Sequence, residues 1–217
     1  MFEYVPEDEV KEAHIYCADK MNRLVQYLKN EYEDWEVRFS LVGSGSRGLV
    51  TRNAREAFDL DYNLYIISMP DEFWNNLSKL KETVRCSLNK AVSDSFFTDG
   101  KDSTSVITSI LHFKDSPDVE FSFDVAILAR NSKGNYCRLI HNKNFGLLDQ
   151  WTWSEALSSK NVGDKAATIK ENGLWQEVRT TYLNKKNMYL SRGDKDHPSF
   201  VVYVESVNEV YDRNFNK

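Results

Sequence analysis

The segment FDLDYNLYI at 58–66 constrains the fold more than any other stretch of the chain. Apolar and polar residues alternate along it, the mark of a half-buried β-strand. Phe58, Leu60, Tyr62 and Leu64 share one face, and Asp59, Asp61 and Asn63 share the other. Aspartate is depleted in strands because its short charged side chain neither packs nor tolerates burial. Two of them at i and i+2 stand about 7 Å apart along a strand. Like charges that close call for a cation.

VEFSFDVAIL at 119–128 repeats the logic, with Val119, Phe121, Phe123, Val125 and Ile127 on the apolar face and Asp124 opposite them beside Glu120 and Ser122. If the two strands are neighbours with their apolar faces in one core, Asp59, Asp61 and Asp124 converge. Three carboxylates without a nearby histidine or thiol suit a hard cation, Mg²⁺ with Mn²⁺ as the alternative, completed by water and substrate phosphates. Upstream, the predicted strand EVRFSLV at 36–42 runs into Gly43-Ser44-Gly45-Ser46-Arg47-Gly48. Glycines let the backbone approach a ligand, successive N–H groups cradle phosphate oxygens, and a helix beginning at this turn would add its positive end. Arg47, Arg52 and Arg55 gather positive charge in a chain whose 28 Lys and Arg are outnumbered by 33 Asp and Glu, for a net charge of -5. That balance disfavours extended contact with duplex nucleic acid but allows a locally docked phosphate ligand.

The remaining elements frame these strands. Apolar spacing predicts a helix from Glu7 to about Tyr32, with Glu7, Asp8 and Glu9 in its first turn. Ser68 as N-cap before Pro70 predicts a second helix over 70–95. TSVITSILHF at 104–113 and the 119–128 segment read as adjacent strands around the turn KDSPD, and Tyr136–Ile140 as a short strand after NSKG. Beyond about residue 146 the texture is helical, with a stripe through Leu174, Val178, Tyr182 and Tyr189 and a last helix after Asp196 and Pro198. The fold class is α+β (mixed α/β), a central mixed β-sheet flanked by helices over 1–145, with a helical C-terminal region over 146–217 packing on it. No run of about 18 apolar residues exists and the opening MFEYVPEDEV is acidic, so a cytoplasmic location without a membrane partner is expected. Cys17, Cys86 and Cys137, odd in number and without CxxC, are expected to be reduced and buried.

VGSGSRG at 42–48, FDLDYNL at 58–64 and FSFDVAI at 121–127 together resemble the nucleotidyltransferase superfamily of DNA polymerase beta type. Its fingerprint is a strand, a Gly-Ser turn, a strand bearing Asp-x-Asp and a third Asp on a following strand. The resemblance implies a palm-type sheet and a two-metal transfer of a nucleoside monophosphate from a nucleoside triphosphate, ATP among the candidates, to an acceptor hydroxyl, with pyrophosphate leaving. Asp59 and Asp61 would bridge two Mg²⁺ ions, Asp124 would bind the metal beside the acceptor and help remove its proton, and Gly43 and Ser44, with Arg47 close by, would hold the phosphates. Leu49 departs from the pattern, since many relatives place Thr or Ser after the second glycine. Relatives often supply a C-terminal Lys or Tyr to the triphosphate, for which Lys165, Lys170, Lys185 and Lys186 are candidates here.

The acceptor expected for so short a chain is a small molecule or a second nucleotide, as in aminoglycoside-type and cyclic-oligonucleotide-forming relatives. The rival readings are an inactive NTP-binding regulatory protein and an enzyme that modifies tRNA or a partner protein. Trp151 and Trp153 read as core rather than base-stacking residues, His14, His112, His141 and His197 as structural or surface groups, and RTTYLNKK at 179–186 as a solvated helix face.

Overall fold

The alternating segment is the strand Phe58–Ser68 in the computed structural model, which describes residues 1–32, 34–112, 119–142, 150–155, 160–194 and 197–216. The chain divides into two units that interleave along the sequence: Pro6–Ser46 with Ala57–Ala156, and Met1–Val5 with Arg47–Glu56 and Leu157–Lys217.

The first unit carries a mixed sheet. Its strands are β2 (Glu36–Val42), β4 (Phe58–Ser68), β5 (Lys101–Asp102), β6 (Ile107–His112), β7 (Val119–Arg130), β8 (Tyr136–Asn142) and β9 (Gln150–Glu155). They are ordered β2-β4-β7-β6-β5, with β8 on β7 and β9 on β8. β4 and β7 are parallel, and their neighbours β2, β6 and β8 run antiparallel to them. Two helices, α1 (Glu7–Glu31) and α3 (Leu77–Val92), pack on each other. α1 buries Cys17, Met21, Leu24 and Leu28, and α3 buries Leu80, Val84 and Leu88. His14 Nδ1 of α1 lies 2.8 Å from Tyr62 Oη, so α1 covers the apolar face of β4. Leu60, Tyr62 and Leu64 are almost fully buried there, each burial contributing about 1.5–3 kcal/mol. The opposite face is left for Asp59, Asp61 and Asn63.

The second unit pairs β1 (Phe2–Tyr4) with β3 (Thr51–Asn53) and contains α4 (Lys160–Glu171), α5 (Trp175–Ser191) and α6 (Ser199–Phe215). Its core joins Ile169, Val178, Tyr182, Val202 and Val207 to Leu49, which is 1% exposed. Among the described residues no helix is long and apolar enough to cross a membrane.

Several local expectations are corrected. Ser68 ends β4, and its hydroxyl donates to the Asp34 carbonyl instead of capping a helix. The predicted 70–95 helix is two: α2 (Asp71–Trp74), preceded by Pro70, and α3, capped by Asn76, which accepts from the Lys79 N–H. No helix follows the Gly-Ser turn, only a single 3-10 turn at Gly45–Arg47. Gln150–Glu155 is a strand where helical texture is predicted, because pairing with β8 gives its short polar alternation a ladder. Cys17 and Cys137 are buried and free, whereas Cys86 is exposed. In the 179–186 run Tyr182 is buried and Arg179 donates to the Gly48 carbonyl, so the run is not simply a solvated face. The turn KDSPD and the Asp196 helix signal lie outside the described residues.

Candidate active site

Register brings the acids together. Asp61 of β4 is directly opposite Asp124 of β7, and Asp59 is opposite Ser122. The Ser122 hydroxyl donates to Asp59 Oδ1, so Ser122 shares the face of Asp59, and by the two-residue period Asp124 shares the face of Asp61. Neighbouring strands lie about 4.8 Å apart, so Asp61 and Asp124 leave the sheet side by side. The alternating patterns predict that these two strands are neighbours, and they are, in a parallel pairing that neither pattern specifies.

Asp124 is held on its other side by β6, where Thr108 Oγ1 donates to Asp124 Oδ1 at 2.5 Å. Burial pushes the Asp124 carboxyl above the usual carboxylate range. The Thr108 hydrogen bond and the Arg138 guanidinium oppose that rise, and Asp59 adds to it. A half-buried acid with a second acid nearby is an excess of negative charge on one open sheet face.

β2 brings the turn to the same place. Val42, its last residue, is opposite Asp61, and Gly43 follows with φ +63°. A Cβ on Gly43 would overlap the Asp61 carboxylate, so the backbone approaches that side chain as only glycine permits. Ser46 Oγ donates to the Gly43 carbonyl at 3.1 Å and ties the turn closed, with Ser44 between them. Arg47 belongs to the other unit, where its guanidinium lies 4.2 Å from the centroid of the Tyr203 ring.

Among the described residues no set of three His, Cys, Asp or Glu side chains is drawn tightly enough to hold an ion by itself. Asp59 is engaged by Ser122 and Asp124 by Thr108. The donor set nevertheless fits a hard divalent cation, which takes one or two carboxylates and fills its other positions with water and phosphate oxygens. A cation there would also relieve the charge that raises the Asp124 pKa.

Two features escaped sequence reasoning. Thr108 lies on a strand whose register with Asp124 is invisible locally, and Arg138 sits on β8 opposite Leu128, four residues beyond Asp124 on the same face. Trp151 and Trp153 lie on β9. Trp151 stacks on the buried His141 at 3.8 Å and Trp153 is 6.2 Å from Trp74, but both are half-buried, not in the core as expected.

No family model and no curated protein matches the chain. Among solved structures it is similar to CdnC of Escherichia coli MS115-1, determined with ATP, at TM-score 0.61 and 17% identity over 97% of this chain and 62% of that one. It is also similar to the Vibrio cholerae cyclic AMP-GMP synthase DncV, in complex with the linear intermediate 5′ pppA(3′,5′)pG, at TM-score 0.56 and 15% identity over 82% of this chain and 47% of that one. The 3′-deoxy GTP bound form of Escherichia coli DncV gives TM-score 0.52 and 15% identity, covering 97% and 54%. The chain thus spans about three fifths or less of these structures' length. The likeness is one of fold: the chain shares the fold of CdnC and DncV.

Proposed function

We propose that this protein is a divalent-metal-dependent nucleotidyltransferase that moves a nucleoside monophosphate from a nucleoside triphosphate to a hydroxyl of a second nucleotide. The observation that carries the reading is the register of Asp61 with Asp124 on adjacent parallel strands, with Gly43 closed against Asp61. The nucleotides named in the CdnC and DncV structures support the choice of an acceptor nucleotide over a small molecule of another kind.

In this reading Asp59, Asp61 and Asp124 hold Mg²⁺, or Mn²⁺ in its place. A bound pair of such ions supplies electrostatic stabilisation of the attacking and leaving oxygens in an in-line displacement. Gly43 and Ser44 present backbone N–H groups to the β and γ phosphates, made accessible by the absence of a side chain at Gly43. Arg47, three residues past Ser44, is the candidate basic residue for the triphosphate on the strength of its place in the sequence. Asp124 receives the acceptor proton. Thr108 fixes its Oδ1 and leaves Oδ2 for that task.

The test incubates the protein with Mg²⁺ or Mn²⁺ and each radiolabelled nucleoside triphosphate. Pyrophosphate release is expected, falling by about 10³-fold or more in Asp61→Ala and Asp124→Ala, a loss of roughly 4 kcal/mol of transition-state stabilisation. Tight triphosphate binding without release would make the protein a nucleotide-binding regulator, and the absence of both would remove nucleotide chemistry altogether.

A further inference from the structure

The face of the sheet that carries the acids continues past them. Two and four residues beyond Asp61 on β4 stand Asn63 and Tyr65, and the even positions of β7 lead from Asp124 through Ala126 and Leu128 to Arg130. Register aligns Arg38 of β2 with Tyr65, Tyr65 with Leu128, Leu128 with Arg138 of β8, and Arg130 with Tyr136. One face therefore gathers Arg38, Arg130 and Arg138 around two tyrosines.

The contacts are specific. Arg38 donates to Tyr136 Oη at 2.9 Å and Arg130 donates to the same oxygen at 3.3 Å. Arg38 also lies 5.3 Å from the Tyr65 ring centroid, Arg130 lies 4.9 Å from that of Tyr136, and the two tyrosine rings are 5.0 Å apart. Among the described residues none of the three arginines pairs with a carboxylate. Two guanidinium groups thus converge on one phenol oxygen without a countercharge, in a chain of net charge -5. The hydrogen bonds from Arg130 and then Arg38 hold the Tyr136 hydroxyl below the usual tyrosine range. Arg138 is half-buried, and its charge acts on Asp124. Like-charged planar forks on a rigid sheet suit phosphate oxygens.

We infer that Arg38, Arg130, Tyr136 and Arg138 form a second phosphate site, which holds the phosphates of the acceptor nucleotide while its hydroxyl lies at Asp124. The inference rests on the proposed reaction for the word acceptor, but the phosphate site stands on its own geometry. Four residues of strand separate Asp61 and Asp124 from the level of Arg38 and Arg138, about 13 Å between Cα positions, and six separate Asp124 from Arg130, about 20 Å. Arg138 spans part of that gap, since its charge acts on Asp124, and Arg38 and Arg130 hold the far end at Tyr136 Oη. The donor's phosphates meet the Gly-Ser turn beside Asp61, and the acceptor's phosphates meet the arginines along the same face.

The probe is inorganic tripolyphosphate in a metal chelator, with binding measured by titration calorimetry. Without metal, Asp59, Asp61 and Asp124 repel polyphosphate from the Gly-Ser turn, so the arginine face reports alone. Wild-type protein is expected to bind, with affinity falling steeply as salt rises. Arg38→Gln/Arg130→Gln/Arg138→Gln is expected to weaken binding at least tenfold with its melting temperature unchanged. If the triple variant melts early, Arg38→Gln/Arg138→Gln reads the same loss with the Arg130–Tyr136 contact retained. Absent wild-type binding, or unchanged affinity in a folded variant, would overturn the site. A nucleoside triphosphate is expected to displace the probe. Displacement by a single-stranded oligonucleotide where the nucleoside triphosphate fails would overturn the assignment to an acceptor nucleotide. Pyrophosphate release, assayed separately on the wild type, tells failure of the reaction from failure of the site.

Discussion

The two units treat their basic residues differently. In the helical unit Lys165 donates to Asn208 Oδ1 at 2.7 Å, Lys185 pairs with Glu209 at 3.1 Å, and Arg213 pairs with Glu177 at 2.8 Å. Lys170 lies over Trp175, and Lys186 donates to Thr51 and Ser199. In the sheet unit Arg38 and Arg130 donate to Tyr136, Arg138 acts on Asp124 only through its field, and none of the three forms an ion pair with a carboxylate among the described residues. A cation already matched to a carboxylate offers little net field to an incoming anion. The number of lysines in a segment is therefore a poor guide to where phosphate goes, and countercharge is the better one.

Four substitutions test that contrast. The largest expected effect is Leu49→Ala, which should cost about 2–5 kcal/mol in chemical denaturation. Leu49 lies only five residues past Ser44, yet it sits in the helical core. A cost near zero would break the division into units. Gly43→Ala should cost about 1–3 kcal/mol through its positive φ, with further loss from collision with Asp61. Pyrophosphate release should fall with it, and full activity in this variant would detach the turn from the acids.

Asp124→Asn should abolish transfer yet raise the melting temperature at neutral pH. Its folded pKa is raised, so this carboxyl favours the folded state most below its unfolded pKa and loses that contribution as pH rises through the folded value. The amide oxygen can still accept from Thr108. The stability gain should shrink on acidification, and a gain that persists at low pH would contradict burial as the cause. The smallest effect is expected of Lys185→Ala, at about 1 kcal/mol or less. Tripolyphosphate affinity should not change, and a tenfold loss there would place an anion site in the helical unit as well.

Sequence patterns revealed the acidic strands because the two-residue period is a local property, and Asp59, Asp61 and Asp124 violate strand propensity conspicuously. Gly43 was legible for a related reason, since a glycine-serine pair between two strands has few structural uses. β1 and β3 were not legible. Three-residue strands have no periodicity, and they pair across about fifty residues of sequence. Leu49 read as a missing phosphate contact, when its place is set by packing against residues more than a hundred positions later. Arg38 and Arg138 gave no signal because a single arginine in an apolar strand reads as an outward-facing polar residue. Only the register of four strands assembles them.

The interleaving of the units has a consequence for how the polypeptide is made. The sheet unit can assemble once residues up to 155 have left the ribosome, since its strands and α1 and α3 are then all present. The helical unit cannot, because Phe2, whose N–H donates to Asn187 at 2.6 Å, and Leu49 must wait for α4, α5 and α6. During synthesis the excursion at 47–56 hangs from a finished sheet with its leucine unburied, a transient apolar hazard for which a chaperone is the natural remedy.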